Sequence, residues 1–282
     1  MRLALFLLIP MVAFAQVPNR AYMKIDAHKR VYKRAFTKQD TLDWQVRETD
    51  TLILVSIEDL NRFPSVDFEY RDQTFLDLYM EIAFRGPKSN DGNIYHTYWK
   101  QPVKMYLSPS VPKNVRRDFV RFVREVTAGI DSLRIGMVDN PGLANFFVYC
   151  TGDFDYEPRL KDTYLRYYNN WNGRNQITKS SIKLDRSQLF NERLFLDYLK
   201  RLFVQSLGNF TWSDKIGCES FFSACEKGAK SFGEFDREIL RYHYSYGICK
   251  GIGEEQFTDL HRSALEFRKM HPNIRHQVKH MN

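Results

Sequence analysis

The chain has 282 residues with a formal net charge of +8, and 43% of them are hydrophobic. This hydrophobic content is that of an ordinary globular protein, which excludes a disordered or low-complexity chain. Aromatic residues make up 15%, including 22 Phe and 16 Tyr. Because aromatic side chains usually carry buried area, they predict a folded core rich in rings.

The N-terminus begins with a short apolar segment. One arginine precedes an almost unbroken apolar run over residues 3–12, and the small residues Ala13 and Ala15 close it. The run is too short for a membrane-spanning helix, and the small residues stand where a signal peptidase cleaves. Residues 1–15 therefore predict a secretory signal peptide, and the mature chain, beginning at Gln16, is expected to be periplasmic or secreted.

Basic residues cluster at both ends of the mature chain. Residues 16–50 are polar, basic and weakly periodic, which predicts an extended N-terminal arm, and residues 268–282 predict a basic tail. Such ends can contact anionic surfaces. In an exported protein these are envelope lipids and polysaccharide. Solvated tails are the simpler interpretation, a peripheral contact with the anionic envelope surface is the alternative, and nucleic acid is not expected.

Between the ends, the pattern predicts one α+β domain over 51–267, with a mixed twisted sheet packed against helices. Alternating or β-rich runs predict strands, and apolar stripes at helical spacing predict helices. Strands are predicted at 51–57, 103–107, 133–138 and 145–150, and helices at 72–84 and 112–129. Residues 153–175 look long and irregular, 177–184 an edge strand, and helices follow at 195–206, ended by Gly208, at 234–246 and at 257–267.

The four cysteines are even in number, which in an oxidising compartment indicates disulfides. Cys218 and Cys225 are close in sequence and are paired first, and Cys150 with Cys249 follows by elimination. The alternative is a zinc site made of four thiolates. The spacing of two residues that is typical of such sites is absent.

The order of these elements resembles the zincin metalloprotease fold, in which an edge strand precedes a helix carrying His-Glu-x-x-His. On that pattern the motif positions fall at Arg201, Leu202 and Gln205. Arginine cannot ligate zinc, leucine cannot act as a base, and neutral glutamine is a poor ligand. No histidine lies between His96 and His243, so the motif is absent in any register. The sequence predicts a degenerate zincin-like fold with no catalytic residues, no metal and no cofactor.

Several short segments together resemble a family of exported bacterial proteins catalogued as domain of unknown function 2927. The segments lie at 75–84, 98–103, 144–150, 205–208 and 236–240, so the resemblance covers about residues 71–265. The resemblance implies a glutamate in the helix ahead of Gln-x-Leu-Gly, but residues 200–204 contain no carboxylate. The family has no established activity that the resemblance could bring to this chain.

The 153–175 region offers candidate ligand contacts, because planar rings alternate there with amide and guanidinium groups that suit sugars and extended peptides. The candidates are Tyr156, Tyr164, Tyr167, Tyr168 and Trp171. We therefore expect an exported, non-catalytic binding protein, a pseudo-metalloprotease, whose ligand is another envelope protein, a peptide or cell-wall polysaccharide.

The alternative is a hydrolase, peptidase or glycan-acting, that uses carboxylates or an unrecognised metal site. Its carboxylates would come from Glu219, Glu226, Glu234 and Asp236, which surround the Cys218–Cys225 loop. Paired carboxylates are what a glycosidase needs. A solvated acidic loop is the simpler interpretation, as is a core position for His243 on the apolar side of its helix.

Overall fold

The structure is a computed structural model that describes residues 21–279, apart from short gaps at 33, 43, 48–49, 57, 59–63, 87, 90–91, 162–165, 190 and 227. The predicted signal peptide lies outside the described residues, as do residues 280–282. The chain divides into two compact units, residues 1–65 with 279–282, and residues 66–278.

The described part of the first unit contains helices and a small antiparallel sheet. The elements are β1 (Ala21–Lys24), α1 (Ile25–Tyr32), α2 (Lys38–Leu42), β2 (Gln45–Arg47) and β3 (Asp50–Val55), and the sheet order is β1-β3-β2. These elements lie where the sequence predicted an extended arm. The boundary between the units falls after Ser65, because β3 pairs with β1 and β2, which precede it.

The second unit is built on a six-stranded, mostly parallel sheet. Its strands are β5 (Tyr98–Trp99), β6 (Val103–Leu107), β7 (Ile135–Met137), β8 (Phe146–Cys150), β9 (Tyr167–Trp171) and β10 (Gln176–Leu184). β7, β6, β8 and β10 run parallel in that order, and β5 joins the start of β10. Only β9 is antiparallel to its neighbour, which is β10.

The edge of this sheet differs from the prediction. β10 was expected to be an edge strand, but it lies between β8 and β9. Within the described residues β9 pairs with β10 alone and forms the edge, in a region predicted to be irregular. Its residues Tyr-Tyr-Asn-Asn-Trp lack alternating polarity, because the buried Asn169 replaces an apolar residue and donates to the Ser206 carbonyl at 2.9 Å.

Five helices accompany the described sheet: α3 (Gln73–Ala83), α4 (Lys113–Thr127), α5 (Glu192–Ser206), α6 (Glu234–Tyr244) and α7 (Glu254–Met270). Asp72 caps α3 by accepting from the Phe75 amide at 2.9 Å, and Asn191 caps α5 in the same way. Such caps satisfy amides that a helix start leaves unpaired. The predicted helices are confirmed, with ends that differ by a few residues.

The main core lies between one face of the sheet and α4 and α5. Phe203 of α5 contacts Phe119 of α4 at 5.4 Å and Phe146 of β8 at 5.9 Å between ring centroids. The buried stripes of α4 and α5 contain the apolar residues that the helical spacing predicted. Many of the aromatic residues therefore lie in the core, since most of the largest fully buried side chains are Phe or Tyr.

The C-terminal region departs from a simple tail. α7 continues to Met270, and β11 (Gln277–Lys279) pairs with β4 (Ser65–Asp67). The Phe68 amide donates to the His276 carbonyl at 2.8 Å, and the two rings stack at 4.9 Å. Of the basic residues of this segment, Arg268 and Lys269 lie in the last turn of α7.

One of the two predicted disulfides is confirmed. Cys218 and Cys225 are bonded, seven residues apart in sequence. Cys150 and Cys249 are not bonded to each other, so that prediction is wrong. Burial raises the pKa of the Cys150 thiol. Elimination failed because Cys150 ends a central strand and points into the core.

Candidate functional site

The three positions at which the sequence pattern placed the metalloprotease motif lie on α5 and are all buried. The Arg201 guanidinium lies over the Trp212 ring at 3.8 Å and donates to the Ser223 carbonyl at 3.0 Å. Leu202 belongs to the hydrophobic core, and the Gln205 amide faces the Phe210 carbonyl at 3.4 Å. These side chains are used in packing, and a permanent cation occupies the first position.

Two histidines distant in sequence come together in the core. The rings of His96 and His243 stack at 4.0 Å with an angle of 18°, and both are fully buried. His243 Nε2 faces the Thr97 carbonyl at 2.9 Å and therefore carries the proton, while its Nδ1 accepts from the Tyr79 hydroxyl at 3.0 Å. No described residue lies within hydrogen-bond distance and geometry of either ring nitrogen of His96.

This pair is not arranged as a metal site. An imidazole binds a metal through a lone pair in its own ring plane, and two nearly parallel planes at 4.0 Å do not meet near the rings. Burial lowers the pKa of His96 to about 3 and holds the pKa of His243 well below its usual value. Across the part of the chain that the structure describes, no three His, Cys, Asp or Glu side chains are grouped to hold an ion.

The predicted aromatic ligand contacts are divided between the two faces of β9. Tyr167 and Trp171 pair with Ile182 and Ile177 and share the helix-covered side of the sheet. Tyr168 pairs with Ser181 and points to the opposite face. Tyr156 lies on that same opposite face, and Tyr164 lies outside the described residues. The structure thus brings Tyr156 and Tyr168 together, and the spacing in sequence could not reveal this division.

The face that carries Tyr156 and Tyr168 forms a basic, aromatic surface, called here the aromatic face. One row of directly paired residues crosses four strands, from Tyr106 on β6 through Phe147 on β8 and Ser181 on β10 to Tyr168 on β9. The row is flanked by Tyr149, Lys179 and Lys183. The helices α4 and α5 pack on the other side. This face is therefore a second, smaller cluster of rings, separate from the main core.

A strap formed by residues 153–161 covers part of the aromatic face. The Tyr156 ring stacks on Phe147 with centroids 4.7 Å apart and meets Tyr149 edge-on at 5.4 Å. Arg159 lies over the Tyr168 ring at 4.6 Å. Glu157, only 4% exposed, accepts from Asn170 at 3.1 Å. Rings, cations and amides thus meet at one partly exposed surface.

A pocket of about 310 Å³ lies at the start of α6. Asp236 lines it and is fully buried, accepting from the Ser220 hydroxyl and from the Phe221 amide at 3.3 Å. Burial raises the pKa of Asp236 to about 6. Glu219 and Glu234 line the same pocket and are exposed. The acidic loop is therefore solvated as expected except at Asp236, which the sequence reasoning missed.

Comparison of the whole chain with family models, with curated proteins and with solved structures finds no match. Among the described residues, every helix is too short or too polar to cross a membrane. The site must therefore be interpreted from its own chemistry.

Proposed function

We propose that this chain is an exported, non-catalytic binding protein with a degenerate zincin-like fold, related to the domain of unknown function 2927 family. The order of elements supports the fold, since an antiparallel edge strand, β9, precedes β10 and α5. Arg201 and Leu202, buried in packing at the motif positions, support the loss of a catalytic metal. The single confirmed disulfide is compatible with export.

The aromatic face is the observation that carries the binding function. The partly exposed Tyr168 ring lies beside Arg159, and Lys179 lies over the buried Phe147 ring. This combination suits the ring faces and polar groups of an extended peptide or a sugar chain. Phe154, at the rim of the strap, is 75% exposed, although apolar rings are usually buried. The ligand proposed is a peptide or protein segment of the envelope, or cell-wall polysaccharide.

The test uses two probes, insoluble peptidoglycan sacculi and a displayed library of random peptides. The variant Tyr168→Ala with Arg159→Ala removes the stacked pair at the edge of the face. Saturable binding of one probe by the wild type, weakened about tenfold or more in this variant, is expected. The control is Tyr246→Ala, which removes an exposed tyrosine from a different part of the second unit. Binding that is equal in all three proteins would contradict the proposal.

A peripheral contact with the anionic envelope surface is a separate part of the proposal. The basic ends of the chain would attract acidic lipids in a salt-dependent way. Association with vesicles of phosphatidylglycerol and phosphatidylcholine, lost at about 0.5 M salt, is the expected result. Association that does not change with salt would contradict an electrostatic contact.

One observation favours a hydrolase as the second candidate. Asp236 lines a pocket with two further carboxylates, and its raised pKa of about 6 suits a general acid. If this candidate is correct, fluorogenic peptides or glycosides are turned over, and Asp236→Asn abolishes the turnover while the exposed Glu226→Gln preserves it. Turnover that survives Asp236→Asn would remove the pocket as its source.

A further inference from the structure

The strap has an unusual sequence for a surface connection. Residues 153–157 read Asp-Phe-Asp-Tyr-Glu, with acidic and aromatic side chains in strict alternation. The aromatic face beneath it has the complementary composition, rings with the cations Lys179 and Lys183. The strap and the face therefore match in charge and in ring content.

The contacts of residues 155–157 follow this match. Lys183 Nζ binds the Asp155 carboxylate at 2.7 Å, and Lys179 Nζ donates to the Tyr156 carbonyl at 2.5 Å. Lys179 Nζ also lies 3.7 Å from the Glu157 carboxylate. Between the two ionic contacts the Tyr156 ring stacks on the sheet. The strap thus lies on the face as a bound peptide would.

The fit of the strap to the face is incomplete. The hydroxyl of Ser181 is buried on this face, and no described residue forms a hydrogen bond with it. Buried polar groups are nearly always paired, so this hydroxyl offers a bond that the strap does not use. At the same place Phe154 leaves its ring in solvent. A longer or better matched peptide would find the Ser181 hydroxyl and a ring contact available.

We propose that the aromatic face binds an acidic, aromatic peptide segment of a partner protein, and that the strap occupies this site in the free protein. The inference deepens the proposed binding function and rests on it. Because the strap is tethered beside its site, it competes at an effective concentration in the millimolar range. A peptide in solution binds well only when it displaces the strap or when the strap is weakened.

The experiment measures fluorescence anisotropy of a labelled synthetic peptide with the sequence of residues 152–158, added to the full-length protein. In Asp155→Lys the strap repels Lys183, and because the Asp155 side chain is 32% exposed the fold should tolerate the change. The matched charge reversal Asp139→Lys, at an exposed aspartate elsewhere, is the control. The peptide is expected to bind Asp155→Lys about tenfold more tightly than the wild type or Asp139→Lys.

Two further variants keep the result interpretable. Tyr156→Ala weakens the strap through its ring instead of its charge, and should also raise peptide affinity. Lys179→Ala added to Asp155→Lys should lower it again, because the site then loses a cation. Near-ultraviolet circular dichroism verifies that each variant is folded.

Equal, weak binding of the peptide by folded wild type, Asp155→Lys and Tyr156→Ala would overturn this inference. If sacculi or library peptides still bind in a manner that depends on Tyr168 and Arg159, the binding function stands and only the acidic peptide class is wrong. If those probes also fail to bind, both proposals fall.

Discussion

At the scale of single residues, the stacked histidines make the protein sensitive to acid. Both rings have a lowered pKa in the fold, whereas unfolded histidine titrates near 6.5. The unfolded state therefore takes up protons first as pH falls. The histidines do not weaken the fold above about pH 6.5, and below it each ring lowers the free energy of unfolding by up to about 1.4 kcal/mol per pH unit.

His96→Phe tests this directly. Because no described residue pairs with the ring nitrogens of His96, phenylalanine keeps the stacking and removes one titrating group. Urea unfolding at about pH 7.5 and pH 5.5 should show an acid-induced loss of stability about 1.4 kcal/mol smaller than in the wild type. His271→Phe, at an exposed histidine, should leave the loss unchanged. The account of the pair is wrong if His96→Phe loses as much stability as the wild type.

Gly208 shows how packing can require a glycine. The helix was expected to end at Gly208, but Asn209 takes the left-handed conformation, with φ of 57°. A Cβ at Gly208 would lie 2.4 Å from the Phe210 ring and 2.7 Å from His243 Nε2. The glycine is needed because these two rings lie against the backbone.

Gly208→Ala should therefore destabilise the protein by about 1–3 kcal/mol, the usual effect of overpacking. Gly136→Ala in β7 is the matched control, since nothing lies within 4 Å of a Cβ there. Thermal unfolding of both variants gives the comparison. Similar melting temperatures for the two would contradict the close packing described around Gly208.

At the scale of elements, the sequence predicts those helices and strands whose buried residues recur at regular spacing. Val115, Phe119 and Phe122 recur at helical spacing because α4 buries one stripe, and the structure buries the same residues. β9 could not be predicted in this way. Its buried residue is Asn169, whose partner Ser206 lies at the end of α5, so the hydrogen bond that permits its burial is not local.

The candidate sites were harder to predict than the elements. Asp236 occupies the first turn of α6, where an acidic residue is usually solvated and favoured by the helix dipole. It is buried because Ser220 and Phe221, within the disulfide loop, pack over it. The strap was missed for a similar reason, since its partners Lys179 and Lys183 become neighbours only through the sheet.

The disulfide loop is the element whose stability contribution can be measured most simply. Closing a loop of this length stabilises the native state by about 2.5 kcal/mol in the chain-entropy model. The double variant Cys218→Ser with Cys225→Ser should lose about that much in urea unfolding. Added reductant should bring the wild type to the stability of the variant and leave the variant unchanged. A wild type insensitive to reductant would show that the bond is not formed or not stabilising.

At the scale of the whole molecule, the core, the aromatic face and the buried residues of α5 support one interpretation. In the second unit, most of the aromatic rings lie in the core between the sheet and the helices α4 and α5. A smaller set of rings lies on the opposite face of the sheet, beside basic side chains. Arg201, Leu202 and Gln205, where the proposed zincin-like pattern would hold a metal, pack in the interior. The proposed function rests on this arrangement together with the aromatic face.

The most direct test of this account is the metal content of the mature protein, purified from its native compartment without exposure to chelators. We predict zinc, iron and manganese far below one equivalent, because Arg201, Leu202 and Gln205 cannot hold a catalytic ion and the His96–His243 pair cannot share one. A stoichiometric metal would contradict the account. It would require ligands arranged differently from those described and would make an enzyme the leading interpretation.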